Sequence, residues 1–125
     1  MRLSFKIKKM PDLRITISDG PKPNIKIFAL NGEMDESSIE PLKREVDTVT
    51  ADVNVKKLIF DLKNLEFINS KGIGYLVYAH THVSKLQKEI ILANAKEAVM
   101  DVISLVGLTT IIRYFDTLDE AFLHL

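Results

Sequence analysis

At 125 residues the chain is long enough for one packed domain and short for two, and its 46% hydrophobic and 27% charged residues give the balance of a folded globular protein. Seventeen basic and seventeen acidic side chains cancel, which leaves no global field to hold nucleic acid or an anionic membrane, and the lack of cysteine excludes disulfides, thiolate catalysis and cysteine-built zinc sites. No apolar run approaches the roughly 20 residues needed to span a bilayer, and "MRLSFKIKKM" has no signal-peptide core, so a cytoplasmic location is expected.

Alternation opens the chain: Leu3, Phe5 and Ile7, then Leu13, Ile15 and Ile17, predict two half-buried strands. "DGPKPN" (19–24) is a cluster of turn formers, after which "IKIFAL" (25–30) resumes a strand. The period then changes. Ile39, Leu42, Val46 and Val49 line one face of a helix, whose start has two readings: a capping box from Ser37 to Glu40, or a cap at Ser38 with Pro41 in the first turn. In "KKLIFDL" the consecutive Leu58, Ile59 and Phe60 predict a strand covered on both faces, hence a central and parallel one.

Ile73, Leu76, Val77, His80, Val83 and Leu86 predict a helix from near Ser70 to around Gln87. "EIILANA" reads as another buried strand, "KEAVMDVISLVGL" as a helix stopped by Gly107, and "TIIRYF" as a last strand. Thr117 and Glu120 have capping-box spacing before "LDEAFLHL". Strands alternating with helices predict a small α/β sandwich: a mainly parallel central sheet, an antiparallel edge and about four helices, in a single domain over residues 1–125.

The stretch "FINSKGIGYL" (67–76) holds the most chemistry. Ser70 falls where a strand end gives way to a helix, at the sheet edge where α/β folds bind partners. Asn69 or Ser70 serves there as an N-cap; read functionally, Ser70 is a phosphoacceptor whose modification would bring about two negative charges to exposed N–H groups. Gly72 and Gly74 weaken the helix start by roughly 1 kcal/mol each relative to alanine, which implies either close packing on the sheet or a bare surface for a partner's backbone. The motif lacks a phosphate-binding loop pattern.

Asp61 ends a central strand without the acidic pair and lysine of a receiver site, and reads as a solvated or helix-capping carboxylate. His80, His82 and His124 have no metal-ligand spacing, and His80 on the apolar face reads as a packing residue. Asp35 is an acidic residue at a helix start that, read functionally, lies at a loop rim lining the same surface as Ser70. No catalytic residue or cofactor is expected.

"LNGEMDESS", "LIFDLKNLEFINSKGIGYL" and "VISLVGLTTIIRYFDTLDEAF" resemble, in order and spacing, the anti-sigma factor antagonists built on the STAS domain, from about Ile25 to the C-terminus. The resemblance implies a regulator, not an enzyme, that binds an anti-sigma factor serine kinase and releases a sigma factor until it is phosphorylated; a serine phosphatase would reset it. Ser70 matches the family's phosphorylated serine, Asp35 the acid closing its "G-E-L-D" motif, with Met34 for leucine, and Gly72 and Gly74 the following glycines. Gly107 and Leu108 match the "G-L" of its C-terminal half. The implied partner surface is Asp35, Asn69, Ser70, Lys71, Gly72 and Gly74. Asn69 stands where the family commonly has aspartate, keeping shape and capping ability but removing a charge. Two alternatives stand beside this: a STAS scaffold that is never phosphorylated, and a module binding a small ligand or nucleotide near Asp35, Asp61 and Ser70. The strand from Leu3 to Lys9, within the N-terminal region 1–20, is partly additional to the usual family start and would extend the sheet edge, mediate a homodimer or form an attached arm.

Overall fold

A period of two sets up the first pair of strands. The structure, a computed structural model, describes residues 13–125, so the expected strand from Leu3 to Lys9 lies outside the described residues. In β1 (Leu13–Asp19) the apolar residues share one face and Arg14, Thr16 and Ser18 are exposed on the other. β2 (Ile25–Met34) runs antiparallel to it, setting Ile15 opposite Leu30 and Ile17 opposite Phe28. The intervening prolines sit in the turn, where no ladder bond is asked of them.

β2 is four residues longer than the alternation in "IKIFAL" predicts, and its second half has its own partner. Along Ile25–Ala29 it pairs in parallel with β3 (Lys57–Asp61), and along Gly32–Met34 with β4 (Leu65–Ile68). β4 is a strand that no period in the sequence predicts. Four residues are too few for a period to show, and a register shift between Gly32 and Glu33 breaks the alternation. As a result Glu66 and Phe67 are both exposed, between buried Leu65 and Ile68.

The remaining elements alternate as expected: α1 (Ile39–Thr50) after β2, α2 (Ser70–Lys85) after β4, then β5 (Glu89–Ala93), α3 (Glu97–Leu105), β6 (Tyr114–Phe115) and α4 (Leu118–Leu123). Among the described residues the strands follow the order β1-β2-β3-β5-β6, with β4 branching from β2; only the β1–β2 pair is antiparallel.

Two apolar layers follow from the pleat. Leu58 and Phe60 of β3, and Ile90 and Leu92 of β5, face α1, α2 and α3, where Leu42, Val46, Leu76, Val83 and Ile103 close the larger core. Ile59, Ile91 and Ala93 face the other way, onto Ala121 of α4. The side chains of β3 and β5 are therefore covered on both faces, which is why their sequences read as continuous apolar runs.

The C-terminal strand is shorter than "TIIRYF" predicts. Gly107 adopts φ 77, Leu108–Thr110 form one 3-10 turn, and Thr110 Oγ1 donates to the Gly107 carbonyl at 2.7 Å. The chain reaches the sheet only at Tyr114, with Ile112 buried against the core and Ile111 left on the surface. At α4 the Thr117 hydroxyl caps Glu120 N at 3.0 Å, but Glu120 reaches back to Asp116 N, one residue before the cap.

Candidate functional site

Three segments meet at the carboxyl end of the β2–β4 pair. Met34 lies opposite Ile68, and the Asn69 amide donates to the Met34 carbonyl at 3.1 Å, so the turn after β2 and the start of α2 are neighbours through the backbone itself. Asp35, Asn69, Ser70, Lys71, Gly72 and Gly74, all expected on one surface, sit at or beside this junction, but Gly72 is buried beneath it and not part of the surface.

The cap of α2 is Asn69. Its backbone is extended, its Oδ1 accepts from Gly72 N at 3.0 Å, and its own carbonyl accepts from Ile73 N at 2.9 Å. Of the two capping alternatives the sequence left open, this removes Ser70 from that duty. Ser70 is the first residue of the helix and is exposed, as is Lys71 beside it.

Gly72 and Gly74 divide the two explanations between them. A Cβ on Gly72 would stand 2.8 Å from the Met34 carbonyl oxygen and 2.8 Å from Ile68 Cγ1, so this glycine lets the helix lie on the β2–β4 pair. Gly74 is exposed and a Cβ there would meet nothing within 4 Å. Packing demands the first glycine; only the second bares the surface.

Asp35, and not Ser37, opens the capping box here. It caps a 3-10 turn over Glu36–Ser38 that leads into α1: Asp35 Oδ1 accepts from Ser37 N at 3.0 Å and from Ser37 Oγ at 2.6 Å, while Asp35 N donates to Ser38 Oγ at 3.2 Å. The Ser38 hydroxyl in turn donates to the Glu33 carbonyl at 2.7 Å. The expected box from Ser37 to Glu40 is replaced by this one, while Ser38 does stand at the N-cap of α1, with its hydroxyl spent on Asp35 N and the Glu33 carbonyl and not on the helix.

Glu36 was absent from the sequence-derived site and belongs to it. Asn69 Nδ2 donates to Glu36 Oε1 at 3.0 Å across 33 residues of sequence. A backbone amide and then Asn69 hold the Glu36 carboxyl below its ordinary value, with Lys71 a smaller contributor, so the group stays charged. Nothing local announces this bond, since it depends on the β2–β4 register. Phe67, exposed one residue before Ile68, is the other surface neighbour the sequence did not single out.

The remaining candidates lie elsewhere. Asp61 Oδ1 accepts from Lys63 N at 3.1 Å and from Asn94 Nδ2 at 3.2 Å, which commits it to the turn between β3 and β4. His82 stacks on Tyr78 with ring centroids 5.7 Å apart, His124 stacks on Phe115, and His80 is half-buried. Among the described residues no group of three or more His, Asp or Glu is placed to hold a metal ion, and no helix is long and apolar enough to cross a membrane.

Residues 19–121 match the family model of the STAS domain. The chain is 22% identical over 90 residues to an anti-sigma F factor antagonist of Paenibacillus polymyxa, an alignment spanning 72% of this chain and 77% of that protein. A crystal structure of an anti-sigma factor antagonist from Mycobacterium paratuberculosis superposes with a TM-score of 0.79 at 24% identity, covering 94% of this chain and 97% of that one. A sulfate transporter family protein from Wolinella succinogenes superposes with a TM-score of 0.74 at 17% identity, covering 85% and 88%.

Proposed function

The chain belongs to the STAS domain family, and from that premise we propose that it is an anti-sigma factor antagonist switched by phosphorylation of Ser70. The unmodified chain binds an anti-sigma factor serine kinase through the face around Asp35, Asn69, Ser70, Lys71 and Gly74, with Gly72 packed beneath it, and the sigma factor is released. Transfer of the γ-phosphoryl group of ATP forms a bond from Ser70 Oγ to phosphorus as the bond to the ADP leaving group breaks. The hydroxyl proton passes to a base on the kinase, and a serine phosphatase reverses the modification by hydrolysis.

One observation carries this reading: Ser70 is exposed at the first position of a 16-residue helix whose cap is its neighbour Asn69. A hydroxyl engaged in capping would be withdrawn from a kinase, and a phosphate on it would unseat the helix. Here the phosphate would meet the positive end of the helix dipole while the cap stayed in place. The fold by itself does not choose this function, because a sulfate transporter family protein shares it. The choice rests on the serine and on the named function of the Paenibacillus polymyxa relative.

The test uses the anti-sigma factor kinase that co-purifies with the tagged chain. With that kinase and Mg-ATP the protein gains one phosphate by intact mass spectrometry, on Ser70, and Ser70→Ala gains none. Equal modification of Ser70→Ala would discard the site. A complex that forms and persists regardless of ATP would favour the unphosphorylated scaffold, and a nucleotide-dependent rise in melting temperature without partner would favour a ligand-binding module.

A further inference from the structure

Asn69 does two things at once. Its carbonyl oxygen caps α2 through Gly72 N, and its amide nitrogen holds Glu36 at 3.0 Å. An aspartate could perform the first task and not the second, since an ionised carboxylate has no N–H to donate and would repel Glu36. The side-chain amide therefore ties the cap of the Ser70 helix to the turn that carries Asp35, Ser37 and Ser38.

That turn is itself tightly bonded. Asp35, Ser37 and Ser38 form the box that starts the path into α1, and Ser38 reaches back to the Glu33 carbonyl. Glu36 is the member of the turn that leans out to α2. Its carboxylate lies beside the residue preceding Ser70, at a helix end that favours negative charge. A phosphoryl dianion on Ser70 would enter the same small region, where two anions compete for one amide donor and one helix terminus.

We propose that Glu36 is a positioning residue that carries the state of Ser70 to the Asp35 turn. In the unmodified chain Asn69 holds Glu36 and fixes the turn against α2; a phosphate on Ser70 displaces Glu36 and releases the turn. The surface a partner meets thus changes at two segments, 36–38 and 69–71, and not only where the phosphate is attached. This rests on Ser70 being the phosphoacceptor, and it adds the residue through which the modification is read.

The experiment separates the two ideas by installing phosphoserine at position 70 through genetic encoding, without any kinase. Backbone and side-chain amide NMR spectra are compared for the unmodified chain, the phosphoserine chain, Asn69→Asp and Glu36→Gln. Asn69→Asp keeps a capping oxygen on Gly72 N and removes the donor to Glu36. The expected result is that phosphoserine and Asn69→Asp move the resonances of Glu36, Ser37 and Ser38 in the same direction. In Glu36→Gln the added phosphate moves Ser37 and Ser38 far less.

Shifts confined to residues 69–73, or a phosphate response in Glu36→Gln equal to that in the parent chain, would overturn the relay. Because phosphoserine is built in, that outcome leaves the kinase question untouched. Conversely, a kinase that ignores Ser70 would remove the function while the relay still showed in these spectra.

Discussion

Gly72 and Met34 are in such close approach that a Cβ added to the glycine would stand 2.8 Å from the methionine's carbonyl oxygen. Backbone oxygen cannot step aside as a flexible side chain can, so α2 itself would have to lift. Gly72→Ala is expected to cost about 1–3 kcal/mol despite alanine's better helix propensity. Gly74→Ala, in open space, is expected to add roughly 0.5–1 kcal/mol of stability. Urea unfolding of the two variants checks the opposite signs.

Asn69 and Ser70 should separate cleanly in the same assay. Asn69→Ala removes the cap of α2 and the bond to Glu36, a loss of about 1–2 kcal/mol. Ser70→Ala should change stability by no more than about 0.5 kcal/mol, the range of an exposed substitution outside a cap. A large loss in Ser70→Ala would mean that the hydroxyl, and not Asn69, caps the helix.

Glu89 provides an acid-sensitive tie at the other end of the sheet. Arg113 donates to it from Nε at 2.7 Å and from Nη2 at 2.8 Å, and Lys57 Nζ donates at 2.9 Å. Arg113 first, then Lys57, pull the Glu89 carboxyl down from 4.5 to about 2, against the opposing effect of burial. A folded-state value below the unfolded one gives stability that is present above pH 4.5 and lost as pH falls toward 2. With part of the cluster exposed and screened, Glu89→Gln should cost about 1–2 kcal/mol at pH 7. The difference from the parent should close progressively between pH 4.5 and about 2 in a series of melting curves.

Lys88 is 9% exposed and gives its ammonium to backbone carbonyls, Asp52 at 3.0 Å and Val55 at a shorter distance. It ties the loop after α1 to the start of β5. Lys88→Met keeps the length of the stem and strips the donors, leaving those carbonyls short of a partner. A loss of about 1–3 kcal/mol is expected, with faster amide exchange over residues 51–56.

What the sequence made legible was whatever a local period or a local composition can encode. Leu58, Ile59 and Phe60 in succession announced a strand covered twice, and the apolar spacing from Ile73 onward announced α2 with a start near Ser70. What stayed hidden depends on partners distant in the chain. β4 is four residues long and exists because Gly32–Met34 is there to receive it. Glu36 joins the site only when that register brings Asn69 across to it. Asp35 is legible as an acidic residue at a helix start, but not as the residue that opens the capping box. Ser37 and Ser38 have equally good local credentials, and only the folded turn shows that the box runs from Asp35 to Ser38.

The forked sheet has a mechanical consequence. β3 is laced to β2 over five residue pairs and to β5 over five more, whereas β4 is held to β2 over three, and among the described residues it has no second strand beside it. The strand leading into Ser70 is thus a short limb grafted on a stiff trunk. β4 is therefore expected to open before β3 does, while α2 stays seated on the core through Leu76 and Val83.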